Sequence, residues 1–204
     1  LTSYVSSQFF AEYRFLNDAP VFRTWKIPLL GDIPLIVPMF FNQNIFVYGA
    51  LVLVATATYY LFHTRSGLQA RAVGEHPRAA DTLGINVYRV RYIHVTLGGM
   101  VDGFGGAWFT LGSVGRFDEN MTGGRGFIGL AAMIFGRWHP VGALAAALVF
   151  GFADSLQQKL ALLNTPIPSE FLAMSPYIAT IIVVAGLIGR ARPPAADGKP
   201  YVKE

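Results

Sequence analysis

Long apolar runs, separated by short polar connections, dominate this chain. The clearest run is residues 44–62, NIFVYGALVLVATATYYLF, which contains no charged side chain. A helix rises about 1.5 Å per residue, so a run of this length covers the roughly 30 Å hydrocarbon layer of a bilayer. A second uncharged run ends at Gly189, and a third is interrupted only by His94 and Asp102. The pattern predicts three membrane-spanning helices, at residues 43–62, 92–113 and 171–189.

Residues 126–157 are also apolar, but a polar turn divides them. The apolar run before Arg137 is GFIGLAAMIFG, which is too short to cross a bilayer alone. A broken helical hairpin that turns at residues 136–140 resolves this mismatch, and lipid requires such an element to be wrapped in protein or to line a cavity. Small residues at four-residue spacing further predict close helix packing. They are Gly99 and Gly103 in the second span, and Ala143, Ala147 and Gly151 in the hairpin.

The basic residues predict which connections face the cytoplasm. Lysine and arginine in short loops are enriched on the cytoplasmic side of membrane helices. Residues 63–91 contain five arginines, and residues 190–204 contain two arginines and two lysines. Both segments are therefore predicted to be cytoplasmic, the second as a mobile tail. Residues 1–42 are interpreted as the end of an earlier span and an outer segment, and residues 114–125 as an outer loop.

The composition is that of a membrane protein, and it excludes several other classes of protein. Hydrophobic residues make up 53% of the chain and charged residues 14%, and 16 Phe and 9 Tyr argue against disorder. The absence of Cys excludes a disulfide scaffold. The net charge of +4 is scattered and forms no basic stripe, so no nucleic-acid partner is expected. The four His are far apart, and no nucleophile, metal or ATP-binding motif is present, which predicts a protein that is not an enzyme and has no metal site.

The connection 64–91, TRSGLQARAVGEHPRAADTLGINVYRVR, contains a recognisable short helix. Pro77 fits the first helical position, and Gly84 fits a left-handed residue that ends the helix after Leu83. The pattern predicts a two-turn amphipathic helix parallel to the membrane, in which Ala79 and Ala80 form a smooth face that another protein can approach. Glu75, Arg78 and Asp81 would supply charges at its rim. An ordinary solvated loop helix is the alternative interpretation.

Two strings together resemble a known family. RAVGEHPRAADTLGINVYRVRY and ENMTGGRGFIGLAAMIFGRWHPVGALAAALVFGFADSLQ are similar to the permease subunits of bacterial ABC importers in the branched-chain amino acid and simple-sugar superfamily, most of all to nucleoside-type permeases. The resemblance covers roughly residues 27–190. It implies that the loop 74–85 is the coupling helix that docks on a cytoplasmic ATPase subunit. The implied coupling residues are Glu75, Pro77, Arg78, Ala79, Ala80, Asp81, Gly84 and Ile85.

The resemblance also implies the setting of the protein. The complex would contain a second permease subunit, two ATPase subunits, and an external solute-binding lipoprotein. This chain would bind no cofactor itself, because ATP would be used by the partner subunit. Its expected location is the inner cell membrane, as an all-α, multi-pass protein of three full spans, a broken hairpin and a cytoplasmic coupling helix. Family members are usually longer, and the chain opens at Leu1, so residues 1–204 are expected to be the C-terminal half to two-thirds of a single permease domain.

The outer loop and two intramembrane carboxylates are candidates for the solute pathway. Asn120, Thr122 and Arg125 lie at the predicted N-terminus of the short half-helix, whose free N–H groups and dipole suit polar solute oxygens. Phe127 and Trp108 could stack on a sugar or base. An ordinary outer turn is an equally good interpretation. Asp102 and Asp154 lie within predicted spans, where a carboxylate is a functional-site hypothesis by default; for Asp154, pairing near the outer surface is the alternative.

These observations predict a permease subunit that carries a small polar solute, nucleoside or simple sugar, by ATP-driven alternating access. Three alternatives remain. The same machine could carry branched-chain amino acids. Asp102 and Asp154 could serve as the paired acid and base of a membrane-embedded enzyme, although no nucleophile or metal cluster joins them. A passive channel would conduct without nucleotide.

Overall fold

The computed structural model describes residue 22, residues 25–26, 42–115 and 121–162, residue 174, and residues 192–203. In chain order these form strands β1 (Trp25–Lys26) and β2 (Asn42–Gln43), helices α1 (Ile45–His63), α2 (Arg65–Glu75), α3 (Pro77–Thr82) and α4 (Val87–Ala107), a π-helical segment (Trp108–Val114), and helices α5 (Arg125–Phe135) and α6 (Pro140–Leu162). β1 and β2 pair antiparallel over two residues each. Apart from this ladder the regular structure in these ranges is helical, which confirms the all-α prediction for the described residues.

Two of the described helices, α1 and the Pro140–Leu160 part of α6, are long and apolar enough to cross a membrane. No residue of α1 is buried, so the helix presents an apolar surface that soluble proteins rarely expose. α4 covers most of the predicted second span but also carries Arg89 and Arg91 in its first turns. The predicted span 171–189 lies outside the described residues except for Met174.

The chain divides into two compact units, Leu1–Leu53 with Tyr88–Gly123, and Val54–Val87 with Gly124–Glu204. In the first unit, Asn44 joins the start of α1 to the π-helical segment. Its Oδ1 accepts from the N–H of Phe46 at 3.1 Å, and its Nδ2 donates to the carbonyl of Gly112 at 3.3 Å. The predicted second span was a single regular helix through residue 113. The structure instead changes to π-helical geometry at Trp108, where the carbonyls of Leu111 and Gly112 accept hydrogen bonds from outside the helix.

In the second unit, α5 and α6 form an antiparallel hairpin that turns at residues 136–139. Ala132, Ala146 and Phe150 are its buried cluster, and the rings of Phe135 and Phe150 lie 5.6 Å apart. The backbones touch at the turn, where a Cβ on Gly136 would overlap the backbone N of Ala143. α6 continues to Leu162, past the predicted end at residue 157, because neither Gly nor Pro interrupts the chain there.

Of the predicted small-residue positions, Ala143 lies where the two hairpin backbones touch, while the other four are open within the described residues. Ala147 and Gly151 are exposed, and the buried face of α6 runs instead through Ala146, Phe150 and Ala153. Because a helix has 3.6 residues per turn, a spacing of four residues drifts around it. Ala147 and Gly151 therefore lie away from the face that contains Ala146 and Phe150. Gly99 and Gly103 also have open space, with no described atom within 4 Å of an added Cβ.

Candidate functional site

The connection between α1 and α4 begins with a sharp, capped corner. Thr64 is the N-cap of α2: its Oγ1 accepts from the N–H of Gly67 at 3.1 Å and donates to the carbonyl of Tyr60 at 2.6 Å. A Cβ on Gly67 would overlap the carbonyl O of Tyr60 and lie 2.6 Å from the Cα of Leu61. Glycine is therefore required for α2 to fold back against the end of α1. The sequence pattern predicts one short helix in this connection, and α2 is an additional one.

The short helix α3 has the predicted form. Pro77 occupies the start of the helix, and Gly84 follows its end with φ of 82°. The N–H of Gly84 donates to the carbonyl of Asp81 at 2.9 Å, and the N–H of Ile85 donates to the carbonyl of Ala80 at 3.1 Å. These are the two hydrogen bonds of a Schellman motif, in which a left-handed glycine closes the helix. The local-structure prediction for residues 77–84 is confirmed.

The predicted smooth face of α3 needs correction. Ala79 is exposed, but only 2% of Ala80 is accessible. Consecutive residues on a helix point about 100° apart, so these two alanines cannot share one face. Leu83 is 80% exposed at the end of α3, and it is the apolar side chain that accompanies Ala79 on the open side. Arg78 and Glu75 are also exposed, as expected for rim charges.

The segment 192–203, predicted to be a mobile tail, contacts α2 and α3. The N–H of Ala195 donates to the Glu75 carboxylate at 3.3 Å, and Lys203 pairs with Asp81 at 3.4 Å. The tail prediction treated a short polar, proline-containing segment as solvated chain. Its contacts connect residues far apart in sequence, and no local pattern signals them.

A stack of three side chains joins the α1–α2 corner to the hairpin turn. The ring of His139 stacks on Phe62 at 4.7 Å between centroids, and the guanidinium of Arg71 lies 4.8 Å from the centroid of the same ring. His139 also accepts the N–H of Val141 on Nδ1 at 3.3 Å, at the start of α6. Stacking and cation–π contacts of this kind stabilise by about 0.5–1 kcal/mol each when exposed. The α2 region and the hairpin are thus in side-chain contact.

Two of the predicted pathway residues are brought together at the far end of the hairpin. Arg125 opens α5 and lies 3.7 Å from the carboxylate of Asp154 on α6, which also accepts a hydrogen bond from Gln158 at 3.0 Å. Both side chains of the ion pair are more than a third exposed, at 47% and 40%. The geometry therefore matches the pairing interpretation of Asp154.

The other pathway candidates are placed separately. Phe127 is 82% exposed on the first turn of α5, and Thr122 lies in the turn before it. Trp108 is partly buried, with its ring against Gly112 and at 4.8 Å from the ring of Phe109. Asp102 is exposed on α4. Asn120 lies outside the described residues.

Sequence reasoning missed three residues of this architecture. Asn44 was treated only as the start of a span, although an Asn before an apolar run is an N-cap signal. Thr64 carries the same signal before α2. Phe62 was counted as the last apolar residue of the first span, and nothing in the local pattern indicates that it stacks with His139.

Two largely exposed apolar helices of membrane-spanning length, together with a polar connection of two short capped helices between α1 and α4, are consistent with a membrane protein. A family model described as branched-chain amino acid transport system / permease component matches residues 3–189. The chain belongs to this permease family, which confirms the resemblance found in the sequence.

Two relatives share nearly half of their aligned residues with this chain. The guanosine ABC transporter permease protein NupQ of Bacillus subtilis is 47% identical over 90% of this chain and 58% of its own length. The nucleoside ABC transporter permease protein NupC of Lactococcus lactis is 47% identical over 88% of this chain and 57% of its own length. A putative glucose ABC transporter permease, TsgC13 of Haloferax volcanii, is 32% identical over 80% of this chain and 56% of its own length. The chain thus spans somewhat more than half the length of these relatives. No solved structure is significantly similar to it.

Proposed function

We propose that the protein is the permease subunit of an ATP-driven ABC importer for nucleosides in the inner cell membrane. The observation that carries this proposal is the 47% identity to permeases named for guanosine and for nucleosides. A simple sugar is the second candidate cargo, favoured by the relative named as a putative glucose permease. A transport subunit of this kind has no catalytic centre and binds no cofactor; ATP is hydrolysed by a separate ATPase subunit. The complete assembly adds a second permease subunit and an external solute-binding lipoprotein.

The proposed topology has spans at residues 43–62, 92–113 and 171–189, a hairpin between the second and third, and a cytoplasmic connection at 63–91. Its support comes from the contact of segment 192–203 with α2 and α3. The Ala195–Glu75 hydrogen bond and the Lys203–Asp81 pair join these segments, which supports one aqueous compartment for both, as the positive-inside rule predicts for 63–91 and 190–204. The contacts of Arg71 and His139 with Phe62 support a cytoplasmic position for the hairpin turn as well, in agreement with an inward-facing Arg137.

The proposed coupling element is α3, which lies in the polar connection between α1 and α4 and has an exposed surface. Ala79 and Leu83 are accessible on it, and the ATPase subunit docks there. Closure of the ATPase displaces α3, and helix-to-helix contacts carry the movement toward the Arg125–Asp154 end of the hairpin. The energy is delivered as a shift between two states of the permease, and the solute undergoes no chemistry.

An uptake assay tests the cargo and the energy source together. Vesicles that contain the full-length permease with its ATPase, partner permease and binding protein are given labelled guanosine, glucose or leucine. We expect guanosine to accumulate only when ATP is supplied. Glucose or leucine uptake without nucleoside uptake would overturn the cargo, and flux without ATP would indicate a passive channel.

Ala79→Glu tests the docking surface. A carboxylate at the centre of an apolar contact costs about 2 kcal/mol or more when it stays unpaired, which is over tenfold in affinity. We expect loss of ATPase co-purification and uptake with normal membrane insertion. Gln69→Glu, which adds the same charge at an exposed position of α2, is the matched control. Ala80→Glu is unsuitable because Ala80 is buried and the variant would disturb the fold. Normal ATPase binding and uptake by Ala79→Glu would contradict the docking assignment.

A further inference from the structure

Residues 192–203, here called the strap, cross the junction between α2 and α3. The N–H of Ala196 donates to the carbonyl of Gly74 at 2.9 Å, next to the Ala195–Glu75 contact. At the other side of the junction, Lys203 pairs with Asp81. The strap therefore contacts the last residues of α2 and the last turn of α3.

These contacts cap the end of α2 and offset a negative charge at the end of α3, whose last carbonyls are bonded within its own Schellman motif. The last carbonyls of a helix have no partner within it, and the strap N–H of Ala196 supplies one for Gly74. Glu75 and Asp81 place negative charge at helix C-termini, where the helix dipole disfavours it, and neither helix has a basic residue in its last turn. The N–H of Ala195 and the ammonium of Lys203 offset these charges. The strap thus supplies a hydrogen-bond donor at the end of α2 and a positive charge at the end of α3.

The junction itself is a single residue. His76 ends α2 and precedes α3, and its side chain makes no capping hydrogen bond to α3. Its backbone has φ of −137° and ψ of 78°, outside the helical region. Its N–H donates to the carbonyl of Ala72 at 2.8 Å and its carbonyl accepts from the N–H of Ala80 at 3.0 Å, so two backbone hydrogen bonds hold the joint. The strap adds contacts on both sides of it. The strap does not hide the docking side, because Ala79 and Leu83 stay exposed.

We propose that the strap is a brace that fixes α3 against α2 and stays in place when the ATPase docks. Movement of α3 is then passed to α2 instead of being lost as rotation at His76. Lys203 and Asp81 are positioning residues for this coupling step. The inference rests on the proposed function, since it assigns the strap a part in transmitting the ATPase movement.

A disulfide tests the position and permanence of the strap. The chain contains no Cys, and the Cβ position at Gly74 lies 3.6 Å from the Cβ of Pro194, within the range of natural disulfides. We expect Gly74→Cys/Pro194→Cys to cross-link under mild oxidation in the full-length permease in membranes. Ser66→Cys/Pro194→Cys is the control, because Ser66 lies eight residues along α2, about 12 Å by helix rise, and cannot bridge.

Uptake by the cross-linked complex gives the decisive comparison. We expect the solute imported per ATP hydrolysed to be the same before and after reduction of the Gly74–Pro194 bridge. Failure to cross-link would overturn the brace, as would uptake that is lost on oxidation and restored by reductant. The parent complex without added Cys is measured alongside: if it imports no nucleoside, the proposed function fails, while the cross-link still reports on the strap.

A charge exchange tests the positioning role of Lys203. Lys203→Glu is expected to lower the solute imported per ATP by about two- to fivefold, the range open to an exposed pair, with unchanged permease yield. Asp81→Lys/Lys203→Asp restores the opposite charges and should recover the ratio. Arg192→Glu, in the same segment, is the control and should leave it unchanged. Co-purification of the ATPase is measured for the exchange because Asp81 lies on the proposed docking helix. An unchanged ratio in Lys203→Glu, or no recovery in an exchange variant that still binds the ATPase, would overturn the assignment.

Discussion

Helices α3 and α5 end with the same hydrogen-bond pattern, but different residue types occupy the left-handed position after each helix. At α5, the N–H of Arg137 donates to the carbonyl of Ile134 at 3.0 Å, and the N–H of Trp138 donates to the carbonyl of Met133 at 3.1 Å. The same pair of hydrogen bonds, a Schellman motif, also closes α3. The left-handed position of α3 is filled by Gly84, whereas in the hairpin Arg137 and Trp138 are both left-handed, with φ of 58° and 56°.

The residue type at the left-handed position indicates which of the two helix ends is held by contacts from outside the helix. A non-glycine residue pays about 1–2 kcal/mol for left-handed geometry, and such strain persists only where neighbouring contacts fix the backbone. In the hairpin, those contacts are the backbone approach of Gly136 to Ala143 and the stacking of His139 on Phe62. The α3 end is unstrained because Gly84 occupies its left-handed position, and it contacts the strap through the Lys203–Asp81 pair.

The largest effect is expected where the hairpin backbones touch. In Gly136→Ala, the new methyl would overlap the backbone N of Ala143, and backbone cannot rotate away as a side chain can. We expect destabilisation above about 3 kcal/mol, the upper range for overpacking, measured as thermal unfolding of the purified full-length permease. Gly151→Ala, on the open side of α6, is the control and should change little. Equal stability of the two variants would show that the hairpin is not closely packed at its turn.

Substitutions at the left-handed positions after α3 and α5 test this comparison directly. Gly84→Ala should destabilise by about 1–2 kcal/mol because alanine is strained at φ of 82°. Arg137→Gly should stabilise by up to about 1 kcal/mol by releasing strain. Thermal unfolding of both variants measures the contrast. A destabilised Arg137→Gly would mean that the arginine side chain makes contacts that outweigh the strain.

The smallest effect is expected at the Arg125–Asp154 pair. Both side chains are substantially exposed, and ion pairs of this kind are worth about 1 kcal/mol or less. A double-mutant cycle with Arg125→Ala and Asp154→Asn should therefore give a coupling energy below that value, with uptake largely retained in Asp154→Asn and in Asp102→Asn. Complete loss of uptake in either aspartate variant would instead assign that carboxylate a direct role in the pathway.

The local features of the fold could be predicted from sequence, and the long-range ones could not. The uncharged run before His63 marks α1, and Pro77 with Gly84 marks both ends of α3, because each signal acts within a few residues. The strap contacts join Glu75 to Ala195, and the burial of Ala80 depends on packing that the local pattern does not contain. The left-handed geometry at Arg137 is contrary to residue preference, so sequence pointed away from it.

For the candidate site, the sequence predicted the short helix at residues 77–83 that we propose as the coupling element, but not the contacts that this helix makes. Residue types suited to docking and to solute contact are visible in the chain. The partners of these residues are not visible in the sequence. Arg125 and Asp154, for example, lie on two helices, and the turn between them determines which residues face each other. The family resemblance supplied what the individual residues could not: a reason to relate the 63–91 connection to an ATPase.

In the proposed topology, residues 63–91 and the strap share the cytoplasmic side of the membrane, and the loop before α5 lies on the other side. Single cysteines at His76, Lys199 and Thr122, in the full-length protein without other cysteines, can be treated with a membrane-impermeant maleimide. We predict labelling at 76 and 199 only in inverted vesicles and at 122 only in right-side-out vesicles. Labelling of 76 and 199 from opposite sides, or of 76 from outside, would contradict the account.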